Sequence, residues 1–244
     1  MLIRQGPDRD DHVDLRLGCL LAGVAGALNA AAFHAVGFFS ANMTGNVSAL
    51  SDHIALGSFT TGTFFLAIIL IFVFGALVST LLINAGRRRR MHSIYAFSIL
   101  AEAVLLTLLG CADLWLPAAQ RGPALILGLS FLMGLQNALV TRISDTRVRT
   151  THVSGMTTDI GIELAMLLDI ALRREPSVDP SPYKSKLRLH LQTVLSFLVG
   201  GVIGVAVYHA VGALLLFGTA LFLFAIAIEG ILSARDMPST AANI

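Results

Sequence analysis

Charge is what this sequence lacks most. Only 13 % of its 244 residues are Asp, Glu, Lys or Arg, where a soluble domain carries roughly a quarter. From Leu17 to Ser51 none of the four occurs, nor from His53 to Gly86, and a third gap from Leu189 to Ile228 is 40 residues long. Such gaps exclude an ordinary soluble fold. Cysteine is nearly missing too: Cys19 and Cys111 are the only two, too few for a disulfide framework. On the topology below they lie at opposite membrane faces and cannot pair. The seven His show no H-E-x-x-H or comparable ligand spacing, and the chain has no G-x-S-x-G, P-loop or dinucleotide fingerprint. The reading is therefore of no metal, no cofactor and no nucleic acid, the net charge of +2 being a matter of topology.

What is present is apolar: 55 % hydrophobic residues and a mean hydropathy of +0.78. A helix needs about 20 apolar residues to cross roughly 30 Å of hydrocarbon. On that measure the sequence divides into six spans, at about 15–36, 61–85, 93–112, 122–142, 189–209 and 213–233, the last two joined by a tight turn near His209 to Gly212. Transmembrane strands alternate apolar and polar residues, whereas "FFLAIILIFVFGALV" is apolar on every side, so the spans are helices. Lys and Arg mark cytoplasmic loops. Arg87 to Arg90 place the second connection inside, and Arg142, Arg147, Arg149, Arg173, Arg174, Lys184, Lys186 and Arg188 place the fourth there, with Arg121 alone outside. Both termini are then cytoplasmic. The acidic start "MLIRQGPDRDDHVD" is unlike a basic signal-peptide n-region, so no cleavage is expected.

The halves repeat. Gly26-Ala27-Leu28-Asn29-Ala30 followed by Thr44-Gly45 matches Gly134-Leu135-Gln136-Asn137-Ala138 followed by Ser154-Gly155, and the segment around Glu102 matches that around Glu229. The offset grows from 108 at the Asn pair to 127 at the Glu pair, which places extra residues in the polar segment 173–188. Three spans per half is an odd number, so the halves enter the membrane from opposite sides as an inverted repeat. The domain organisation expected is a tail at 1–14, a first repeat at 15–112, a second at 122–233 and a tail at 234–244. In transporters of this design the solute site lies near the midplane, where broken helices of both halves meet.

Each [ST]-G motif follows its repeat's first helix and precedes another helix-compatible run, "NVSALSDHIAL" or "MTTDIGIELAMLLDIAL". The Gly allows a tight turn, and the hydroxyl of Thr44 or Ser154 is placed to cap the helix that starts next. Unpaired N–H groups at such starts suit an anion or polar solute. Two readings stay open: re-entrant hinges facing a shared pocket, or capped surface loops. Asn29 and Asn137 sit late in their helices beside Gly26 and Gly134, either as amides bonding across a close helix approach or as solute ligands. Glu102, about mid-span, is costly in lipid and faces a cavity or a partner. Its mate Glu229 lies nearer the cytoplasmic end. Gly200-Gly201-Val202-Ile203-Gly204 offers a surface for close packing within or between subunits, so a homo-oligomer is compatible.

With "NMTGNV" and "RTTHVSGMTTDIG" in view, the chain resembles the YoaK-like family (domain of unknown function 1275) of bacterial six-helix membrane proteins. The likeness runs over about 15–233. It rests on Met43, Thr44, Gly45 and Asn46, and on Thr151, His152, Gly155, Thr158, Asp159 and Gly161. Two departures stand out, Ser154-Gly155 where a second Thr-Gly is usual and His152 where an aromatic is common. The resemblance implies fold and a bacterial inner-membrane location, and names no substrate.

The expected protein is all-α, with six transmembrane helices as two inverted three-helix repeats and short re-entrant or broken helices after the first helix of each. Its partners are the lipid bilayer and a small polar or anionic solute, and its function that of a permease or channel. The candidate solute-binding residues are Asn29, Thr44, Gly45, Asn46, Glu102, Asn137, His152, Ser154, Gly155, Thr158, Asp159 and Glu229. The alternatives are a membrane-embedded enzyme using His152, Asp159 and Glu163, and a structural protein without a central cavity.

Overall fold

A computed structural model describes residues 11–89, 91, 93–174 and 178–235, apart from the side chains of Asp11, Asp14 and Arg235. The expected tails at 1–14 and 234–244 thus fall mostly outside the described residues, as does Arg90. The described chain is all-helical, with eight helices: α1 Asp11–Val36, α2 Met43–Ala55, α3 Phe59–Arg88, α4 Ile94–Trp115, α5 Ala118–Ile143, α6 Val153–Ala171, α7 Ser181–Val211 and α8 Leu214–Arg235. Six of them, all but α2 and α6, are long and apolar enough to cross a membrane. This is a multi-pass membrane protein.

Helix ends follow local chemistry. Gly37 (φ +77) closes α1, its N–H donating to the Phe33 carbonyl at 2.8 Å, a left-handed position that suits glycine. Gly212 (φ +57) makes the tight turn between α7 and α8, inside the segment predicted for it. α7 starts earlier than the sequence suggested, at Ser181 rather than near 189. Pro182 fits the first turn of a helix, where no N–H is needed, and the Asp179 carboxylate accepts the Ser181 N–H at 2.9 Å. Half of the segment read as a polar loop is therefore helix.

Packing crosses between the halves. α1 lies most extensively against α7, α3 against α5, and α4 against α8. The first two seams are closed by glycines at matched sequence positions. A Cβ on Gly26 would collide with the Phe197 carbonyl oxygen, and one on Gly134 with the Phe72 carbonyl oxygen. Gly200 and Gly204 press in the same way on Gly23 and Ala27 of α1. The small-residue stripe of α7 thus packs within the chain, since backbones can meet closely only where side chains are absent.

The outward faces are apolar. Leu70, Val73, Phe74, Leu77 and Leu81 on α3 and Leu195, Leu198, Val202 and Ile203 on α7 are all exposed. Rows of exposed aliphatics at helical spacing on membrane-crossing helices are contacts with bilayer lipid. Both cysteines are free.

Candidate functional site

The two short helices decide the shape of the centre. After Gly37 the chain turns back beside α1, so that the Ala41 N–H donates to Asn29 Oδ1 at 2.8 Å, a buried bond. Asn29 lies seven residues before the end of α1. At 1.5 Å per residue the hinge therefore reaches about 10 Å inward from that helix end. The second hinge does the same. Asn137 lies six residues before the end of α5, and its Oδ1 accepts from the hydroxyls of Thr151 at 2.9 Å and Thr150 at 3.4 Å. The inner ends of α2 and α6 thus start deep, each tethered by an Asn of the preceding long helix.

The tethers settle how the two amides are satisfied. Among the described residues neither bonds across to another long helix: Asn29 holds its own hinge, and Asn137 holds its own while its Nδ2 donates to the Met133 carbonyl at 2.8 Å. The first hinge has a second tie, Asn46 Nδ2 to the Phe39 carbonyl at 3.2 Å. The predicted hydroxyl caps are not formed. α2 begins at Met43, which puts Asn42 at the cap, its Oδ1 accepting the Gly45 N–H at 3.0 Å. α6 has His152 in that place, with no side-chain cap bond, and the ring instead covers Gly155. Thr44 and Ser154 fall inside the first turn, one or two residues too late to cap it.

Between the hinges lies a cavity of about 580 Å³. Asn29, Asn42 and Thr44 line it from the first half and Asn137, His152 and Ser154 from the second, with Phe72 and Phe197 between them. The phenylalanines are those whose carbonyls meet Gly134 and Gly26, so the seams that pull the helices together also fix the cavity walls. A single formal charge, Arg149, lines it, and no carboxylate does. Arg149 is a residue that sequence reasoning missed. The one hint was its place in "RVRTTH", two positions before Thr151.

A family model described as protein of unknown function (DUF1275) matches residues 17–228. The chain belongs to that family. No curated protein and no solved structure matches it significantly. In this DUF1275 chain the [ST]-G motifs that carry the resemblance are the inward starts of α2 and α6.

The remaining predicted residues lie around this centre or away from it. Gly45, Asn46 and Gly155 build the hinges. Gly155, Thr158 and Asp159 line a neighbouring cavity of about 400 Å³ that shares Arg149 and His152 with the central one. Farther along, a cavity of about 670 Å³ shares Thr146, Arg147, Asp159, Leu189 and His190 with that neighbour and is bordered by Lys184, Lys186 and Arg188. Through these shared residues the three adjoin in a row from the centre toward the Arg-rich end. Glu102 is not on it: it is 1 % exposed in α4, and neither carboxyl oxygen has a hydrogen-bond partner. Glu229 is exposed on α8. Of the acids considered for an enzyme, Glu163 pairs with His190 of α7 at 3.0 Å rather than with His152. Among the described residues no group of three or more His, Cys, Asp or Glu is placed to hold a metal.

The turn feeding the second hinge is strained. Asp145 and Thr146 have φ of +50 and +68, a region a β-branched residue rarely enters. Thr146 N–H donates to the Thr141 carbonyl at 2.8 Å, and the Ser144 hydroxyl accepts the Val148 N–H at 3.0 Å. These bonds hold the turn and aim Arg149 to Thr151 back toward Asn137.

Proposed function

We propose that this protein is a permease or channel of the bacterial inner membrane for a small anionic or polar anion-like solute, with both termini cytoplasmic. The observation that carries the reading is the meeting of two inward helix starts, one from each half, in one polar-walled cavity. Helix N-termini present unpaired N–H groups and the positive end of the helix dipole, and Arg149 adds a full positive charge. An anion is the guest those groups stabilise best. Phe72 and Phe197 supply an apolar surface for the rest of the solute.

The architecture behind this reading is a pair of inverted repeats, each a long helix, a short inward helix and two long helices. Support comes from the exchange of partners between halves, α1 with α7 and α3 with α5, from the matched glycine seams, and from matched Asn tethers. Such symmetry relates two access routes to one site. The path of cavities toward the Arg-rich end corresponds to the inward-open state, Lys and Arg marking the cytoplasmic side. In this scheme Asn29, Asn42, Thr44, Asn137, Arg149, Thr151, His152 and Ser154 contact the solute, Gly45, Asn46 and Gly155 shape the hinges, and Thr158 and Asp159 border the exit.

The test is reconstitution in liposomes with a panel of labelled small carboxylates, inorganic anions and neutral polar solutes. The proposal expects saturable flux of at least one anion, weakened by Arg149→Gln. Absence of flux and of binding across all three groups would remove the transport reading.

A further inference from the structure

We propose that Glu163 and His190 form a proton-binding pair that latches α6 onto α7 at the Arg-rich mouth of the solute path. The purpose of the latch rests on the permease reading, whereas its chemistry rests on geometry alone. Glu163 is 4 % exposed. Its Oε1 lies 3.0 Å from Nδ1 of His190, a close approach without hydrogen-bond alignment, and among the described residues neither that Nδ1 nor Glu163 Oε2 has a hydrogen-bond partner. A carboxylate with one oxygen paired and the other unsatisfied is an open acceptor, and a buried charge of this kind is held only by its partner.

Position gives the pair its leverage. Both residues line the outermost of the three cavities, and His190 also lines the next one, so water at the Arg-rich end reaches the pair. α6 begins in the central cavity at Val153, ten residues before Glu163. Release of α6 from α7 therefore moves the second hinge, and with it His152 and Ser154.

The first half shows what this junction looks like without a carboxylate. At the offsets of 110 for the short helices and 125 for the long ones, the positions matching Glu163 and His190 are His53 and Phe65. Those rings stack with centroids 5.5 Å apart and planes inclined by 20°. A ring stack is enough to join a short helix to its long neighbour. A carboxylate facing an imidazole occurs at this junction only in the half whose short helix borders the Arg-rich mouth.

The groups facing Glu163 set its titration. Asp159 stands one turn before it on α6, Tyr183, Lys184, Lys186 and Arg188 come from α7, His12 from α1 and Arg147 from the connection between α5 and α6. Burial is the largest influence and raises the carboxyl above its ordinary value; His190 opposes that rise, Asp159 adds to it and Lys186 opposes it. The ion pair requires Glu163 to be ionised and His190 to be protonated. It is lost as pH falls through the raised value, nearer neutrality than for an ordinary Glu. In that step a proton from cavity water forms an O–H bond on the carboxylate, and the His190 ring is left among cations without its counter-charge.

The experiment needs no solute. The full chain with Cys19→Ser and Cys111→Ser is spin-labelled at Thr157 on α6 and Leu195 on α7, both exposed, and the distance distribution is measured in nanodiscs between about pH 8 and about pH 4.5, a range spanning ordinary His and Glu titration. The latch predicts a longer distance on acidification. Glu163→Gln gives the long distance at every pH. The double substitution Glu163→Leu with His190→Phe, which joins the two helices through apolar contact alone and has no group to titrate, gives the short distance at every pH and guards against a variant that merely unfolds. A distance that does not move with pH in the parent protein, or that titrates unchanged in Glu163→Gln, overturns the latch. Loss of the permease reading is a separate result, seen only in the flux assay.

Discussion

Removing the Asn29 amide is the sharpest local perturbation of the hinge. In Asn29→Ala the Ala41 N–H, which donates to Oδ1 at 2.8 Å in a buried setting, loses its acceptor. An unpaired buried donor costs about 1–3 kcal/mol, and at tenfold per 1.4 kcal/mol this multiplies local opening by about 5 to 140. The second tie, Asn46 to the Phe39 carbonyl at 3.2 Å, survives and keeps one side of the hinge in place, so the lower part of that range, about tenfold, is expected. Ser40 is the reporter, since it is 0 % exposed and sits one residue before the affected N–H. In a background with Cys19→Ser and Cys111→Ser, Ser40→Cys is alkylated by a membrane-permeant maleimide about tenfold faster when Asn29→Ala is added. Adding Asn46→Ala raises the rate further. Equal rates with and without the Asn29 amide would refute the tether, and with it the inward placement of this hinge.

Other outcomes follow from the same structure. Gly134→Leu forces α5 away from the Phe72 carbonyl, and because overpacking costs typically 1–3 kcal/mol, it lowers thermal stability in detergent more than Gly161→Leu, where a Cβ meets nothing within 4 Å. Thr146→Gly removes a β-branched residue from φ +68 and stabilises the second hinge by about 1 kcal/mol, read as a higher melting temperature. Asp179 is held below the ordinary Asp range by the bonds from the Ser181 backbone and hydroxyl. A lowered folded value means that its stabilisation is present above the unfolded value and fades as pH falls through the folded one. The protection factor of the amides at the start of α7, the exchange rate corrected for the intrinsic rate at each pH, should therefore fall on acidification in the parent and stay constant in Asp179→Ala.

Much of this was legible in sequence because lipid imposes simple rules. Charge-free gaps located four of the six long helices and apolar length the other two, and the repeated Asn and [ST]-G spacing located α2 and α6. What was not legible depended on registers a single chain does not display. The α2 cap went to Asn42 because the helix starts at Met43, one residue before the hydroxyl expected to cap it. Arg149 counted among the positive-inside residues and so hid its place in the cavity wall. Glu102 is deep, as its position in the span suggested, yet which side of α4 it occupies is set by packing on α5 and α8. The pairing of Glu163 with His190 joins residues 27 positions apart across the polar segment, a contact that no local pattern announces. Pro182 reads equally as loop punctuation or as a helix start, and the Asp179 bond decides for the second.

The central claim is that the two hinges, one from each half, face each other across one cavity inside the membrane. Intramolecular cross-linking of Thr44→Cys to Ser154→Cys with a short bifunctional maleimide, in the Cys19→Ser, Cys111→Ser background and in native-like bilayers, tests it most directly. The account predicts a cross-link within one chain, detected as two fragments held together after proteolytic cleavage in the segment between α3 and α4, and absent when only one cysteine is present. Rapid labelling of both sites by membrane-impermeant reagents from opposite faces, without any cross-link, would contradict it.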